Sequence, residues 1–360
     1  MLKRSHLLVL VFTLFSFVLQ AGHHEEDSHE SEKEFNATEV ILHHIQDSHE
    51  FHMWGEHEHS VSIPLPIILY SFDKGFVTFM SSSFEHGTKS VEGFEMTTHG
   101  IVDAHGNHEY LITDLFSHEC HASFLDLSIT RNVFTMFVGV VILLLIFFSV
   151  ANSYKKRGSN QAPKGMQNLM ESIIFFVRDE IAVPNIGEKK YKKFMPYLLT
   201  VFFFIWVVNL LGLVPFFPGG SNVTGNIAVT LVLAIFTTIA TNVFASTKDY
   251  WGHIFWMPGV PLPVKLLLAP IELIGVFTKP FALTIRLFAN ITAGHIVVLS
   301  LISLIFILKN IWVSPASVAL ALFIDVLELL VAFLQAFVFT MLSALFIGSA
   351  AEEHDHEHAH

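Results

Sequence analysis

The chain of 360 residues is 52% hydrophobic and only 14% charged, and it contains 36 phenylalanines. Soluble domains carry roughly 25% charged residues, so this composition indicates a polytopic membrane protein. The formal net charge of −12 arises mainly from acidic residues near the two ends. No basic stripe could meet phosphates, which excludes nucleic-acid binding, and the single Cys120 excludes an internal disulfide framework or a cysteine metal cluster.

The N-terminus is typical of an export signal. Residues 1–21 have a basic start, a short apolar core and a small residue at Ala21. That core is too short for a spanning helix, which needs ~20 apolar residues, so we predict a cleaved signal peptide over an uncleaved anchor. Residues 22–60 are rich in histidine and glutamate, and we predict that this exported segment is disordered.

Residues 61–129 have the pattern of a small exported domain that contains β-strands. Short apolar runs alternate with turns that contain glycine and histidine, which favours strands. The runs are VSIPLPIILY at 61–70, GFVTFM at 75–80 and EYLITDLF at 109–116. No motif gives this domain a chemistry.

Residues 130–350 form a predicted all-α membrane domain. Lysine and arginine cluster in the loop at 155–193, which also holds an amphipathic helix, so this loop is predicted to be cytoplasmic. The N-terminus is then outside, and the histidine-rich tail at 351–360 is inside. The five predicted membrane passes cover about 132–151, 196–216, 227–245, 264–309 and 316–350.

The last two apolar segments are longer than a perpendicular span. About 46 residues of helix would reach ~69 Å, against a hydrocarbon core of ~30 Å. Strong tilt, breaks, or pieces that lie in the membrane interface must absorb the surplus, and Pro270 and Pro280 are candidate breaks. Because KNIWVSP at 309–315 joins the two segments, we predict an antiparallel hairpin.

Charged residues in the first of these segments form a stripe. Glu272, Lys279 and Arg286 are spaced seven apart, which places them on one helix face. Asn290 lies near that face, whereas His295 points to the opposite side. The charges of Glu272 and Lys279 could equally snorkel to lipid headgroups. Arg286 lies too deep for that, and an intramembrane arginine costs at least ~2.5 kcal/mol, so it indicates a functional site.

The second long segment carries Asp325, Glu328 and Gln335. In an antiparallel hairpin, residues at equal depth have numbers with a constant sum, which is 621 for Arg286 with Gln335 and 623 for His295 with Glu328. A carboxylate and an imidazole at one depth can relay protons. An arginine keeps its proton at any accessible pH, and its charge lowers the pKa of a nearby carboxyl group.

Several stretches resemble subunit a of the F-type ATP synthase, and the resemblance covers roughly residues 125–354. The most specific is RLFANITAGH at 286–295, preceded by APIELIGVFTKP and followed by LQAFVFTML. NLLGLVPFF at 209–217 and AAEEH at 350–354 also match the family.

The resemblance implies a non-catalytic, proton-translocating stator subunit without a cofactor. It would lie beside a rotating ring of c subunits, in contact with b-type peripheral-stalk subunits, in a bacterial inner membrane. Two offset half-channels would lead to and from the ring, with Arg286 forcing the ring carboxylate to deprotonate and blocking leakage. The family's outer half-channel residues match Asn209, Asn290, His295, Glu328 and Gln335, and an inner position matches Glu272.

The sequence departs from many bacterial members at two places. Those members carry glutamate where this chain has His295 and histidine where it has Glu328, so the acid and the imidazole are exchanged here. This exchange resembles the mitochondrial relatives and keeps a relay of one acid and one imidazole. Gly212 stands where many bacterial members have an acidic residue, so that contribution is missing.

Other functions were weighed against this resemblance. A cation or metal transporter with a histidine-rich exported domain would place acidic and histidine ligands at mid-membrane, where this chain instead has Arg286. An assembly protein leaves the polar residues of the hairpin unexplained. The histidine-rich ends are solvated tails, loose metal-binding tracts or proton buffers near a channel mouth. This sequence leaves both H⁺ and Na⁺ open as the coupling ion, because the partner ring, and not this chain, holds the ion.

Overall fold

A computed structural model describes residues 45–54, 61–72, 74–97, 100–103, 124–157, 162–214, 217–255, 261–308 and 314–351, together with residues 38 and 41. The predicted signal segment, most of the predicted disordered segment, the EYLITDLF run and the C-terminal tail from 352 onward lie outside these residues.

The strands form three small antiparallel sheets. β1 (Glu50–Trp54) pairs with β2 (Val61–Pro64), and β5 (Phe94–Thr97) pairs with β6 (Gly100–Asp103). In the third sheet β3 (Pro66–Ser71) lies between β4 (Gly75–Met80) and β7 (Phe124–Asp126). Alternate residues of β3 are buried, as expected for a strand with one face on a core. That core contains Ile67, Leu69, Val77, Phe84, Phe94, Ile101 and Phe124.

β1 falls inside the range 22–60 that the sequence predicts to be disordered. It is ordered because its backbone pairs with β2, from Glu50 opposite Pro64 to Trp54 opposite Val61. Its Phe51 side chain is only 4% exposed, so the strand also buries a large apolar group. Composition alone missed this strand because its partner lies beyond the biased segment.

The membrane domain is helical, which confirms the predicted fold class and the five passes. Five helices are long and apolar enough to cross a membrane. The longer helices are α1 (Arg131–Arg157), α2 (Met166–Phe176), α3 (Tyr191–Gly212), α4 (Ile227–Ile239), α5 (Lys248–Phe255), α6 (Leu262–Leu308) and α7 (Ser314–Ala351). After α2 the chain continues through a π-helical turn at Val177–Ala182 and a short helix at Val183–Ile186, and α4 ends in a π-helical turn at Ala240–Ala245.

The prolines of α6 do not break it, so the prediction of breaks at Pro270 and Pro280 was wrong. The helix runs unbroken over 47 residues and contains both prolines. In an apolar environment a broken helix would leave backbone groups without partners, and this cost keeps proline within membrane helices. A helix of this length reaches ~70 Å, so tilt must take up the surplus.

Two contacts confirm the predicted register of the α6–α7 hairpin. A Cβ atom built on Gly294 would lie 2.6 Å from Oε1 of Glu328. The Lys279 ammonium lies 5.4 Å from the centre of the Phe346 ring. The residue numbers of these pairs total 622 and 625, close to the totals expected from the sequence.

The helices have two distinct ends. At the strand end, the Thr135 hydroxyl of α1 donates a hydrogen bond of 3.2 Å to the Pro218 carbonyl in the loop after α3. At the C-terminal end, the Lys190 ammonium donates a bond of 2.6 Å to the last carbonyl of α7, at Ala351. Arg286 lies between these ends, seven residues from Lys279 and nine from His295 along α6.

Candidate functional site

Arg286 lies on a bare apolar face of α6. Leu283 and Leu287, one on each side of it, are 2% and 1% exposed and belong to the main core, whereas Arg286 and Asn290 are exposed. Among the described residues, no hydrogen bond or ion pair involves Arg286. Only 6% of the most apolar window of α6 is buried, against 44% in α3, so this face requires lipid or a partner to cover it.

A set of buried and half-buried polar side chains lies at the strand end, and we call it the strand-end cluster. Its members come from α3, from the loop between α3 and α4, and from both arms of the hairpin. The Thr224 hydroxyl donates a hydrogen bond of 2.5 Å to Oδ1 of Asn209. The strand-end cluster comprises Asn209, Ser221, Asn222, Thr224, His295 and Glu328.

Glycine makes room for the carboxylate of this cluster. Glu328 of α7 extends towards α6 at Gly294, where a Cβ atom would lie 2.6 Å from its Oε1. Any side chain at position 294 would displace the carboxylate. Since His295 follows Gly294 directly on α6, the carboxylate of Glu328 on α7 and the imidazole of His295 lie at about the same depth, as the sequence predicts.

His295 faces the end of α3. Its Nε2 atom lies 3.8 Å from a Cβ atom built on Gly212, and the same Cβ atom would lie 3.0 Å from the Ser221 carbonyl oxygen. Glycine at position 212 therefore lets the Ser221 carbonyl pack against the end of α3 beside the imidazole. The Thr292 hydroxyl, also on α6, points to the carbonyl of Gly225 at 3.5 Å.

Several polar atoms of the strand-end cluster lack a hydrogen-bond partner among the described residues. They are Nδ2 of Asn209, Oγ of Ser221, both polar side-chain atoms of Asn222 and Oε1 of Glu328. Buried polar groups are nearly always satisfied by protein or by water. These atoms are therefore available to hydrogen-bond to water.

A second polar recess, the C-terminal cleft, opens between α4, α5, α6 and α7. It encloses about 250 Å³, including space open to solvent. Most of its polar groups are paired: the Tyr197 and Thr237 hydroxyls lie 2.7 Å apart, and the Tyr250 hydroxyl donates a bond of 3.2 Å to Oδ1 of Asn242. It is lined by Thr237, Thr238, Thr241, Asn242, Tyr250, Val276, Lys279, Pro280, Leu283 and Phe346.

Glu272 lies near this cleft. Burial and the charge of Glu272 raise the pKa of Tyr250, which places the carboxylate near the tyrosine. Gln335 is buried at 5% exposure on α7, whereas Arg286 is exposed, and no hydrogen bond joins the two among the described residues. The hairpin thus brings His295 and Glu328 to one depth, but it does not bring Gln335 into contact with Arg286.

Sequence reasoning missed the contribution of the loop. Ser221, Asn222 and Thr224 lie in the turn between two spans, where neither helical periodicity nor charge marks a site. The available signal was the run of small polar residues in GGSNVTGN at 219–226, which is unusually rich in hydrogen-bonding groups for a turn between membrane spans. Gly294 was missed because glycine carries no chemistry of its own.

Comparison with known proteins identifies the family. Residues 133–348, more than half of the chain, match the family described as ATP synthase A chain. The chain belongs to the ATP synthase subunit a family.

Curated relatives agree. The ATP synthase subunit a of Chloroherpeton thalassium is 54% identical over 233 residues, which cover 64% of this chain and 69% of the relative. The corresponding subunit of Chlorobium phaeobacteroides is 54% identical over 242 residues, covering 65% and 70%, and subunit a 2 of Prosthecochloris aestuarii is 53% identical over 242 residues, covering 65% and 73%. This chain is therefore a proton-translocating membrane component of an ATP synthase.

The N-terminal strands match a separate family model. Residues 40–127 match a domain of unknown function, DUF8433. In the part of the chain that the structure describes, no group of three His, Cys, Asp or Glu side chains could hold a metal ion.

Proposed function

We propose that this chain carries protons in two steps, from the strand-end cluster to a rotor carboxylate beside Arg286 and from that carboxylate to the C-terminal cleft. The observation that supports this path is the position of Arg286. It lies on an exposed apolar face of α6, between the buried polar atoms of the strand-end cluster and the C-terminal cleft. A proton that moves from the cluster to the cleft along α6 therefore has to pass the arginine.

Arg286 acts as a fixed positive charge. A guanidinium keeps its proton at any accessible pH, so it cannot carry protons itself. In a low-dielectric environment its charge strongly favours the ionised form of a nearby carboxyl group. A protonated rotor carboxyl that rotates up to Arg286 therefore releases its proton, and the ionised carboxylate cannot move past into lipid without taking up another.

The strand-end cluster is the proposed uptake path. Glu328 and His295 exchange protons at one depth, and Asn209 orients water beside them with the amide nitrogen that has no protein partner. Asn290, one turn from Arg286 on the exposed face, is the proposed last polar group before the rotor. Gln335, buried on the neighbouring helix, is proposed to shape the inner end of this path.

The C-terminal cleft is the proposed release path. Its hydroxyl and amide groups offer a chain of hydrogen-bonding partners, and Glu272 lies beside Tyr250 at its edge. A carboxylate at the mouth of such a path accepts protons and passes them to water. Lys279, on the same stripe as Arg286, places a positive charge in the lining of the cleft. This charge disfavours the binding of a metal cation there.

The bare face of α6 and α7 is proposed to contact the ring of c subunits, and other surfaces to contact b-type peripheral-stalk subunits. The chain is proposed to lie in a bacterial inner membrane, with the strand end outside and the C-terminus in the cytoplasm. Residues 1–21 would be a signal peptide, and 22–129 would be exported. Nucleotide chemistry would belong to other subunits of the complex.

The test is the substitution Arg286→Ala in membrane vesicles that contain the whole synthase. Coupled ATP synthesis should fall at least about 100-fold, the loss typical of removing one preorganised charge-stabilising group. The amount of the chain in the membrane, measured by immunoblot, should not change. Normal coupled synthesis in the Arg286→Ala vesicles would refute the proposal.

A matched control is Ser300→Ala. Ser300 is also an exposed polar residue of α6, and its hydroxyl donates only to the Ile296 carbonyl, at 2.7 Å. Synthesis should stay within about twofold of wild type, as for most surface substitutions.

A further inference from the structure

Three aromatic rings from distant parts of the chain meet at the strand end. Phe51 of β1 lies 5.5 Å from Phe134 of α1 and 5.3 Å from Phe217 in the loop after α3, both in edge-to-face geometry. Phe134 and Phe217 stack at 5.6 Å. Phe51 is only 4% exposed, so it forms the centre of this cluster. The N-terminal strands thus make a direct contact with a loop of the membrane domain.

The segment before Phe51 is fixed to the start of α1. The Asp47 carboxylate accepts a hydrogen bond of 3.0 Å from the backbone N–H of Asn132, and the Ser48 carbonyl accepts one of 2.8 Å from the N–H of Arg131. The Gln46 carbonyl accepts a further bond of 3.0 Å from the Arg131 guanidinium. The first N–H groups of a helix have no partner within it, so residues 46–48 cap α1 from 85 positions away.

A side-chain contact holds the same segment to the third sheet. Nε2 of His49 lies 2.9 Å from Oδ2 of Asp126, at the end of β7. Burial raises the pKa of Asp126, but the hydrogen bonds from His49 and Ser128 together lower it by more than burial raises it. The pKa of Asp126 therefore lies below its usual value. The carboxylate is therefore ionised at neutral pH, and residues 46–51 have fixed attachments on both sides.

The loop that Phe51 contacts forms one wall of the strand-end cluster. A Cβ atom on Gly219 would lie 2.5 Å from the Leu211 carbonyl oxygen, and the N–H of Gly220 donates a bond of 3.2 Å to that same oxygen. The loop therefore packs directly on the end of α3. The next residue, Ser221, places its carbonyl against Gly212, the residue that faces His295.

We propose that Phe51 is a positioning residue for proton uptake, through which the N-terminal strand region holds the loop at 217–226 against the strand-end cluster. This inference rests on the proposed function. It gives the domain of unknown function a role in the same subunit: its first strand completes the wall of the uptake path. The loop is rich in glycine, and the aromatic cluster anchors it at its first described residue, Phe217.

The first test measures proton conduction by the intact membrane sector, in vesicles from which the soluble ATPase head has been removed. Phe51→Ala should lower conduction, whereas Phe51→Leu, which keeps most of the apolar volume, should restore most of it. The matched control is Phe76→Ala, because Phe76 is 70% exposed on β4 and lies outside the aromatic cluster. Conduction should be unchanged in that control.

The second test measures the position of the loop directly. In a Cys120→Ser background, a Ser221→Cys probe is labelled with a membrane-impermeant thiol reagent. Phe51→Ala should speed labelling about tenfold, the change that corresponds to losing two aromatic pairs. A residue that only stabilised the strand region would leave labelling at position 221 unchanged.

A variant at the other side of the contact keeps the test decisive if Phe51→Ala fails to assemble. Phe217→Ala should give the same labelling and conduction changes, and adding Phe51→Leu to it should cause no further change. If Phe51→Ala or Phe217→Ala leaves conduction and labelling at wild-type values, the inference is overturned. That result leaves the proposed function intact as long as Arg286→Ala is inactive, and active Arg286→Ala would instead refute the function.

Discussion

The strand-end cluster and the C-terminal cleft differ in how their polar groups are satisfied. In the strand-end cluster, buried amide, hydroxyl and carboxylate atoms of Asn209, Ser221, Asn222 and Glu328 have no partner among the described residues. In the C-terminal cleft, the Thr237 hydroxyl bonds to the hydroxyls of Tyr197 and Ser343, and Tyr250 bonds to Asn242. Among the described lining residues of the cleft, the buried side-chain atom without a partner is Oγ1 of Thr241.

This difference suggests two ways of conducting protons. Unsatisfied buried groups favour bound water, because each costs about 1–3 kcal/mol when it has no partner. The strand-end cluster therefore depends on water and on one titratable pair, His295 and Glu328. The C-terminal cleft is an open recess with several separate hydrogen-bonded groups, which can substitute for one another. Single substitutions should therefore have larger effects in the strand-end cluster.

The largest effect is expected from Glu328→Gln. The amide keeps the shape of the side chain but cannot exchange a proton with His295, so conduction should fall by about 100-fold, the lower end of the range for a positioned acid–base group. Proton conduction in vesicles stripped of the soluble head measures this. The matched control is Asp325→Asn, since Asp325 is exposed on the same helix. Equal losses in both variants would contradict the special role of Glu328.

A smaller effect is expected from Gly294→Ala. The new methyl group would lie 2.6 Å from the Glu328 carboxylate, and overpacking of this kind costs about 1–3 kcal/mol. Conduction should fall about tenfold, whereas Gly252→Ala in α5, where a Cβ atom meets nothing within 4 Å, should have no effect.

A second substitution separates displacement of the carboxylate from general damage to the hairpin. Glu328→Asp shortens the acid by one methylene group and should recover part of the lost conduction when combined with Gly294→Ala. If the double variant conducts less than Gly294→Ala alone, steric displacement of the carboxylate is not the cause.

Much of the membrane domain could be predicted from sequence because its information is periodic. Apolar length determined the five passes, and the constant sum across the turn determined which residues of α6 and α7 lie at one depth. The same reasoning failed at Pro270 and Pro280, where a local preference of proline yields to the need to satisfy the backbone in an apolar environment.

The loop at 217–226 and the strand region could not be predicted in this way. The polar groups of Ser221 and Asn222 reach the site through turns and close glycine contacts, which have no repeat to detect. The contact between Phe51 and Phe217 joins residues more than 160 positions apart, and nothing near either phenylalanine in the sequence points to the other. Such contacts depend on the whole fold, and single-sequence patterns carry only local information.

The smallest effect is expected from Thr241→Val in the C-terminal cleft. Valine has nearly the same shape but lacks the hydroxyl, whose oxygen is buried without a partner among the described residues. If the cleft conducts through water, conduction should fall only about two- to threefold, because losing one weak hydrogen bond costs about 0.5–1 kcal/mol and the other polar groups remain. Thr200→Val is the matched control, since Thr200 is exposed on α3 and bonds only to the Pro196 carbonyl.

If the cleft is dry, Thr241→Val should instead raise the thermal stability of the complex and leave conduction unchanged, because it removes an unsatisfied polar group. That outcome would move the release path away from this recess while leaving the uptake path at Glu328 untouched.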